Sequence, residues 1–280
     1  MSDQQAREIQ DSLKQRFGEH IAVDATLPGL DELARIAAHR THRRYGDKPV
    51  DPALLRLICA CALSAPSKSD LQQCDILVVR DTSLRGTIAD LLPDMPFVRD
   101  APAFLVFLAN GRRLPQVAEL RHKPFPNDHL DQFFNAVADT AIVLATFLRA
   151  AAAVGLGCCP ISVIRDHSAK VSELLVLPPR VIAVAGMCVG WPAEPGGITA
   201  RLDLDITLHE DRYRERDLTA QIDAYDRRRN ALWPYRTQRA PDKWGTASFY
   251  GWSEDKARQY GVPQRADFGA FVRAKGFRLD

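Results

Sequence analysis

The stretch His39-Arg40-Thr41-His42-Arg43-Arg44-Tyr45-Gly46-Asp47-Lys48-Pro49-Val50 gathers arginines, histidines and a hydroxyl into one short span. An arginine presents a planar fork of donors that matches a phosphate or an electron-rich ring edge, and Thr41 adds a hydroxyl. The same cations follow an amphipathic helix pattern (Leu30, Leu33, Ile36, Ala37). There they would also be favourable as a solvated helix C-terminus. On this stretch alone, an anion site and a charged helix end both stay open. Other chemistry is sparse. Gly155-Leu156-Gly157-Cys158 lies after a helix pattern and before a strand, the wrong context for a dinucleotide-binding glycine motif. No Gly-x-Ser-x-Gly, His-Glu-x-x-His or P-loop is present. Ser67 and Ser69 have no base paired with them by any sequence feature, so they read as polar loop residues rather than nucleophiles. Cys59, Cys61, Cys74, Cys158, Cys159 and Cys188 lie in or beside apolar runs without metal-ligand spacing. They read as buried thiols in a reducing compartment, and a zinc site is not expected.

The elements that must position these residues follow from hydrophobic period and turn signals. The chain has 280 residues, 46% hydrophobic and 26% charged, enough for a sizeable core in one large or two small domains. A net charge of +2 draws it neither to nucleic acid nor to an acidic membrane. Residues 1–28 read as an appended polar helix and loop with no signal-peptide core, and no apolar run reaches membrane-spanning length, so a cytoplasmic protein is expected. Asp51-Pro52 opens a helix with a broad apolar face, which stops at Ala65-Pro66; Ser67 to Gln72 is then a polar loop. Strands are expected at Cys74–Arg80, Ala103–Ala109, Cys158–Ile164 and Val181–Val189, and helices at Leu84–Leu92 and Ser168–Leu175. The basic, proline-containing segment 111–127 reads as a loop. Asp128 to Val154 is the longest helix pattern. It is apolar nearly all round, so it must be covered by one core or by a core and a second subunit. Beyond Leu202 the chain turns polar, arginine-rich and aromatic, with helix patterns near Leu218–Arg228 and Arg265–Lys275. Strands alternate with helices through connections of varied length, which fits an α+β protein with a mixed sheet between helices.

At this point several segments resemble the nitroreductase family of flavin enzymes. They are His39-Arg40-Thr41-x-Arg43-Arg44-Tyr45 with Lys48-Pro49-Val50, and Ala65-Pro66-Ser67-Lys68-Ser69-x-Leu71-Gln72. Gly155-Leu156-Gly157 and Gly190-Trp191-Pro192-Ala193-Glu194 with Arg201-Leu202 follow in the family's order. The spacing is most similar to the NADPH nitroreductase and flavin reductase branch, over about Leu33 to Leu202. The resemblance implies a nitroreductase-like fold with a long central helix at a homodimer interface. It divides the chain into an N-terminal extension (1–28), an FMN-binding core (29–204) and a C-terminal extension (205–280). It also implies FMN as cofactor, NADPH or NADH as reductant, and ping-pong hydride transfer to a nitroaromatic, quinone or flavin acceptor. Dehalogenation, flavin fragmentation, desaturation, or flavin binding without turnover are the alternatives on the same site.

By position, His39, Arg40, Thr41 and Arg201 would hold the phosphate and ribityl chain, and Arg43 the N1 and C2 carbonyl edge of the flavin. Hydride arriving at N5 leaves negative charge on that edge, so a fixed cation there is catalytic in effect. Pro66, Ser67, Lys68, Ser69 and Leu71 of the partner subunit would line the ring, and Ile161, Ser162 and Val163 its opposite face. Lys68 and Ser69 would also meet substrate, and Arg236 and Arg239 are candidates for the nicotinamide phosphate. The chain departs from the branch at five places, one of them Lys68, where serine is usual. Thr199 replaces a phosphate-binding lysine, Met95 a ring-binding glutamine, Ser162-Val163 a glycine pair and Pro160 a tyrosine.

Overall fold

Where an aspartate precedes an apolar run, a helix begins. Asp51 accepts from Ala53 N (2.6 Å) and Leu54 N (3.1 Å), and Asp81 from Ser83 N (2.8 Å) and Leu84 N (3.0 Å). The computed structural model describes residues 2–280. In chain order its first elements are α1 (Ser2–Phe17), α2 (Leu30–Ala37), α3 (Pro52–Leu63), β1 (Cys74–Val79), α4 (Thr82–Asp90), α5 (Phe97–Asp100), β2 (Ala103–Asn110), α6 (Arg113–Leu120) and α7 (Leu130–Ala153). Then come β3 (Gly157–Ile161), α8 (Ser168–Leu174), β4 (Val181–Gly190), α9 (Leu204–Thr207), α10 (Leu218–Leu232), α11 (Pro241–Trp244), α12 (Trp252–Tyr260) and α13 (Phe268–Ala274). They fall into two units, each discontinuous in sequence: residues 1–40 with 197–264, and residues 41–196 with 265–280. The unit boundaries therefore coincide neither with 28/29 nor with 204/205.

The second unit carries the sheet, in the order β1-β2-β4-β3. Both central strands are almost wholly buried, as their unbroken apolar runs require. One face is covered by α3 and α7, where Phe107 and Phe147 meet edge to face at 5.5 Å. The other is covered by Ile88, Val98, Ile164 and Val171 from α4, α5, the turn after β3 and α8. The α+β class with helices on both faces agrees with expectation, but the sheet is antiparallel in every pairing rather than mixed. The chain between β1 and β2 returns to the end it left, so Val79 closes β1 opposite Phe104. Near the C-terminus, Phe277 packs on Phe133 at 5.1 Å, and Arg180 grips Asp128 through two bonds of 2.6 Å.

Some local expectations need correcting. Segment 111–127 contains α6, because Asn110 Oδ1 accepts from Arg112 N (3.0 Å) and Arg113 N (3.1 Å) and so starts a turn. β3 ends at Ile161, where a short 3-10 turn over Val163–His167 takes over. Cys61 is exposed, and Cys59 is half-buried against the core that α3 covers. By length and composition α7 would suffice to cross a membrane, contrary to the sequence reading. Its buried Gln132, Asp139 and Thr140, however, face the sheet side and are hydrogen-bonded there.

In the first unit, Ile9, Leu30 and Ala37 form a small core between α1 and α2. Gly18 ends α1 at φ +80°, with the Arg228 side chain 2.5 Å from where a Cβ would stand, so only glycine suits both backbone and neighbour. α10 and α12 meet through Tyr225 and Trp252 (5.4 Å), and Asp226 on α10 accepts from Ser253 N (3.0 Å). The period of α12 was not apparent in sequence, because its buried residues include Asp255 and Arg258 rather than a plain apolar stripe. Truncating Phe147 to alanine removes a fully buried ring beneath β2. It should cost about 3–5 kcal/mol of stability, read from urea unfolding of the two proteins.

Candidate functional site

The expected phosphate residues of the first unit come together, and around a residue the sequence did not single out. Arg16, on the last turn of α1, is 7% exposed. Its Nε donates to Ala37 O (2.7 Å), its Nη1 to Thr199 O (3.2 Å) and its Nη2 to His39 O. Its own carbonyl accepts from Arg201 N (2.7 Å) and Arg228 Nη1 (2.8 Å). Arg201 Nη1 in turn donates to Thr199 Oγ1 at 2.6 Å. Burial first, then the nearby charges of Arg201 and Arg40, lowers the Arg16 pKa from its ordinary value. Arg228 is neutralised by Asp203, but Arg16, Arg40 and Arg201 have no carboxylate partner among the described residues. Arg40 Nε is also buried without a hydrogen-bond partner. A cluster of this kind is suited to a dianion, which would fill the orphan donor and offset the repulsion.

In the second unit the segment from Thr41 lies along the β3–β4 end. His42 N donates to Cys158 O (3.0 Å), Gly46 N to Trp191 O (2.9 Å), and Tyr45 Oη to His42 O (2.6 Å) and Cys188 O (3.3 Å). Between these anchors Arg43 and Arg44 are exposed. Arg44 pairs with Glu194 at 3.5 Å, whereas the Arg43 guanidinium lies beside the Cys159 thiol. Burial raises the pKa of Cys159, and pushes that of Cys158 up to about 12, so neither is a thiolate nucleophile at neutral pH. Arg43 is thus a cation fixed by its neighbours and turned outward.

The loop after α3 is held by a second residue that sequence reading missed. Asp139, in the middle of α7 and 2% exposed, accepts from Ser67 Oγ (2.6 Å), Lys68 N (3.0 Å) and Gln73 N (3.1 Å). Ser67 Oγ also accepts from Gln72 N at 2.7 Å. Ser69, Asp70 and Gln72 all adopt positive φ, a strain that persists only where surroundings over-determine it. An open groove beside the loop is lined by Leu63, Pro66, Ser67, Gln73, Asp139 and Val143, and Gln73 Oε1 is buried without a donor. Lys68 is exposed and 3.6 Å from Asp131. A carboxylate inside an apolar helix pattern was the available signal for Asp139; for Arg16 there was only a cation in a helix's last turn.

The remaining expected residues are placed unevenly. Ile161 is buried, Ser162 exposed, and Val163 and Met95 half-buried against one face of the sheet. Leu71 is half-buried at the end of the strained loop. Arg239 lies 3.6 Å from the buried Asp255, so an internal carboxylate already occupies it, while Arg236 is exposed.

Comparison with known proteins adds the following. The profile of the nitroreductase family matches residues 36–191, and that of the nitroreductase family C-terminal domain matches residues 200–280. The chain is 29% identical to an FMN reductase (NAD(P)H) of Bacillus subtilis, over 89% of its own length and 98% of that protein's. It is 34% identical to an oxygen-insensitive NADPH nitroreductase of Salmonella typhimurium, over 65% and 74% respectively. Among solved structures it is similar to the NADPH:FMN oxidoreductase from Vibrio harveyi complexed with NAD+, with a TM-score of 0.76 and 26% identity, covering 88% of this chain and 98% of that one. Replacing Asp139 by alanine leaves three donors around the loop without their acceptor. The variant should lose about 3 kcal/mol in urea unfolding and be cut by protease within residues 66–72 before the rest of the chain.

Proposed function

Because this chain belongs to the nitroreductase family, we propose that it is an FMN-dependent NAD(P)H oxidoreductase. The observation that carries the reading is the group of uncompensated guanidiniums, with the orphan Arg40 Nε, at the positions where the family holds a phosphate. The relatives named as FMN reductase and NADPH nitroreductase support the same activity. Bound FMN would supply hydride-transfer chemistry between NAD(P)H and a small electron-poor acceptor, such as a nitroaromatic, a quinone or a free flavin.

The residues of this chain bind and orient. His39, Arg40, Thr41 and Arg201 take the phosphate and ribityl end. Arg43, a fixed cation needing no movement, stabilises negative charge on the N1 and C2 carbonyl edge. Pro66, Ser67, Lys68, Ser69 and Leu71 line the ring offered to the partner subunit, and Asp139 holds that loop in shape. Ile161, Ser162 and Val163 border the opposite face with less backbone freedom than a glycine pair, and Met95 contributes bulk rather than an amide. Lys68 adds a cation next to the substrate, which favours an anionic acceptor. Arg236 is the better placed of the two candidates for a nicotinamide phosphate, since Arg239 is engaged by Asp255.

A homodimer is part of this reading. α7 leaves Phe134 65% and Ile142 41% exposed, and α3 leaves Leu57 58% exposed, a set of large apolar side chains that a second subunit would cover. All six cysteines are free thiols, which supports a reducing, cytoplasmic setting.

The decisive experiment is the visible spectrum of the purified protein, followed by anaerobic titration with NADPH and with NADH and reoxidation by a panel of acceptors. A yellow protein bleached by either nicotinamide is expected; a colourless protein that takes up no FMN would remove the assignment. Arg43→Ala should lower the flavin reduction potential by about 30 mV, a tenfold change in a two-electron equilibrium, measured by dye equilibration. Phe134→Glu should shift sedimentation from dimer to monomer and release the flavin with it.

A further inference from the structure

We propose that Arg16, on the appended N-terminal helix, supplies the phosphate-site charge that the family's lysine supplies elsewhere and that Thr199 lacks here. The inference rests on the FMN reading above. Neither family profile covers α1: the matches begin at residues 36 and 200. It is nonetheless tied to the residues of the missing charge. Its guanidinium donates to His39 O, in the residue just before Arg40, and to Thr199 O, two residues before Arg201, and its carbonyl receives Arg201 N.

A purely structural cap on the end of α2 would account for the bond to Ala37 O. It would not account for setting a third guanidinium close to Arg40 and Arg201 with no carboxylate among the described residues to offset it. That arrangement costs free energy in the unliganded chain, and a dianion returns it. Arg16 acts as a positioning and electrostatic residue. Three of its donors are spent on carbonyls, so it holds His39 and Thr199 in place and adds its field to theirs. The cofactor's phosphate is therefore read partly by a segment that lies outside both family-profile matches.

The test compares dissociation constants of FMN and riboflavin for the full-length protein, since only the first carries the phosphate. Arg16→Gln keeps amide donors but no charge, and should lower the preference for FMN over riboflavin about tenfold. Arg16→Lys should stay within about threefold of the native preference, and adding Thr199→Lys to Arg16→Gln should restore it. Equal losses for both flavins in Arg16→Gln, or equal losses of preference in the Gln and Lys variants, would make Arg16 a structural cap only and overturn the inference. Thr199→Lys in the otherwise native chain provides a check that leaves α1 intact. A gain in FMN preference of less than about threefold is expected, because the charge is already present; a gain of tenfold or more would show it still missing. A native protein that binds riboflavin and FMN equally, or neither, overturns the phosphate reading itself, and is told apart by the native chain alone.

Discussion

Like charges held together without counter-charge are the constraint around which the first unit is arranged. Arg16, Arg40 and Arg201 repel one another, and the buried Arg16 has also given up its water. Burying Arg16 in such a group requires acceptors for its own donors. The backbone meets that demand with three carbonyls from two distant stretches, Ala37 and His39 at and just beyond the end of α2, and Thr199 before α9. Gly18 lets the chain leave α1 beneath the Arg228 side chain, which bonds back to Arg16 O and to Arg201 O. The geometry of the cluster is thus a consequence of hydrogen-bond satisfaction, and its residual positive field is what makes it useful for an anion.

The second unit solves a different problem, that of presenting polar groups from an apolar framework. Its antiparallel sheet buries β2 and β4 on both faces, leaving chemistry to the loops at its edges. Two devices make those loops rigid. Tyr45 and His42 fasten the arginine segment to β3 and β4, so that Arg43 is held at its base while its guanidinium lies beside the Cys159 thiol. Asp139 does the equivalent from beneath the 66–73 loop, accepting three hydrogen bonds that keep Ser69, Asp70 and Gln72 in left-handed conformations. A flavin enzyme needs such fixed groups more than it needs an acid or base, because the cofactor carries the reaction.

Legibility in the sequence followed the range of the interaction. Period-3.6 and period-2 patterns located α3, α7, β1, β2 and β4 to within a few residues, since local burial sets them. Asn110 turned an expected loop into α6 because a single side chain capped it. α12 escaped because buried Asp255 and Arg258 satisfy each other's surroundings through Tyr250, Lys256 and Glu254 rather than through apolar contact. Strand direction was misjudged for a related reason, as connection length alone does not say at which end a chain re-enters a sheet.

The sequence by itself determined the family, the α+β class, the cation-rich turn at 39–44 and the order of the later motifs, because these depend on residue type and local spacing. Only the tertiary structure decided which charges are compensated and which are not. Arg44, Arg228 and Arg239 turned out to face carboxylates, whereas Arg16, Arg40 and Arg201 face none among the described residues. The separation between Arg16 and Thr199 is more than half the chain, and a hydrogen bond across that distance leaves no mark on local pattern. Charge compensation is a property of neighbours in space, and so it is settled only when the chain has closed.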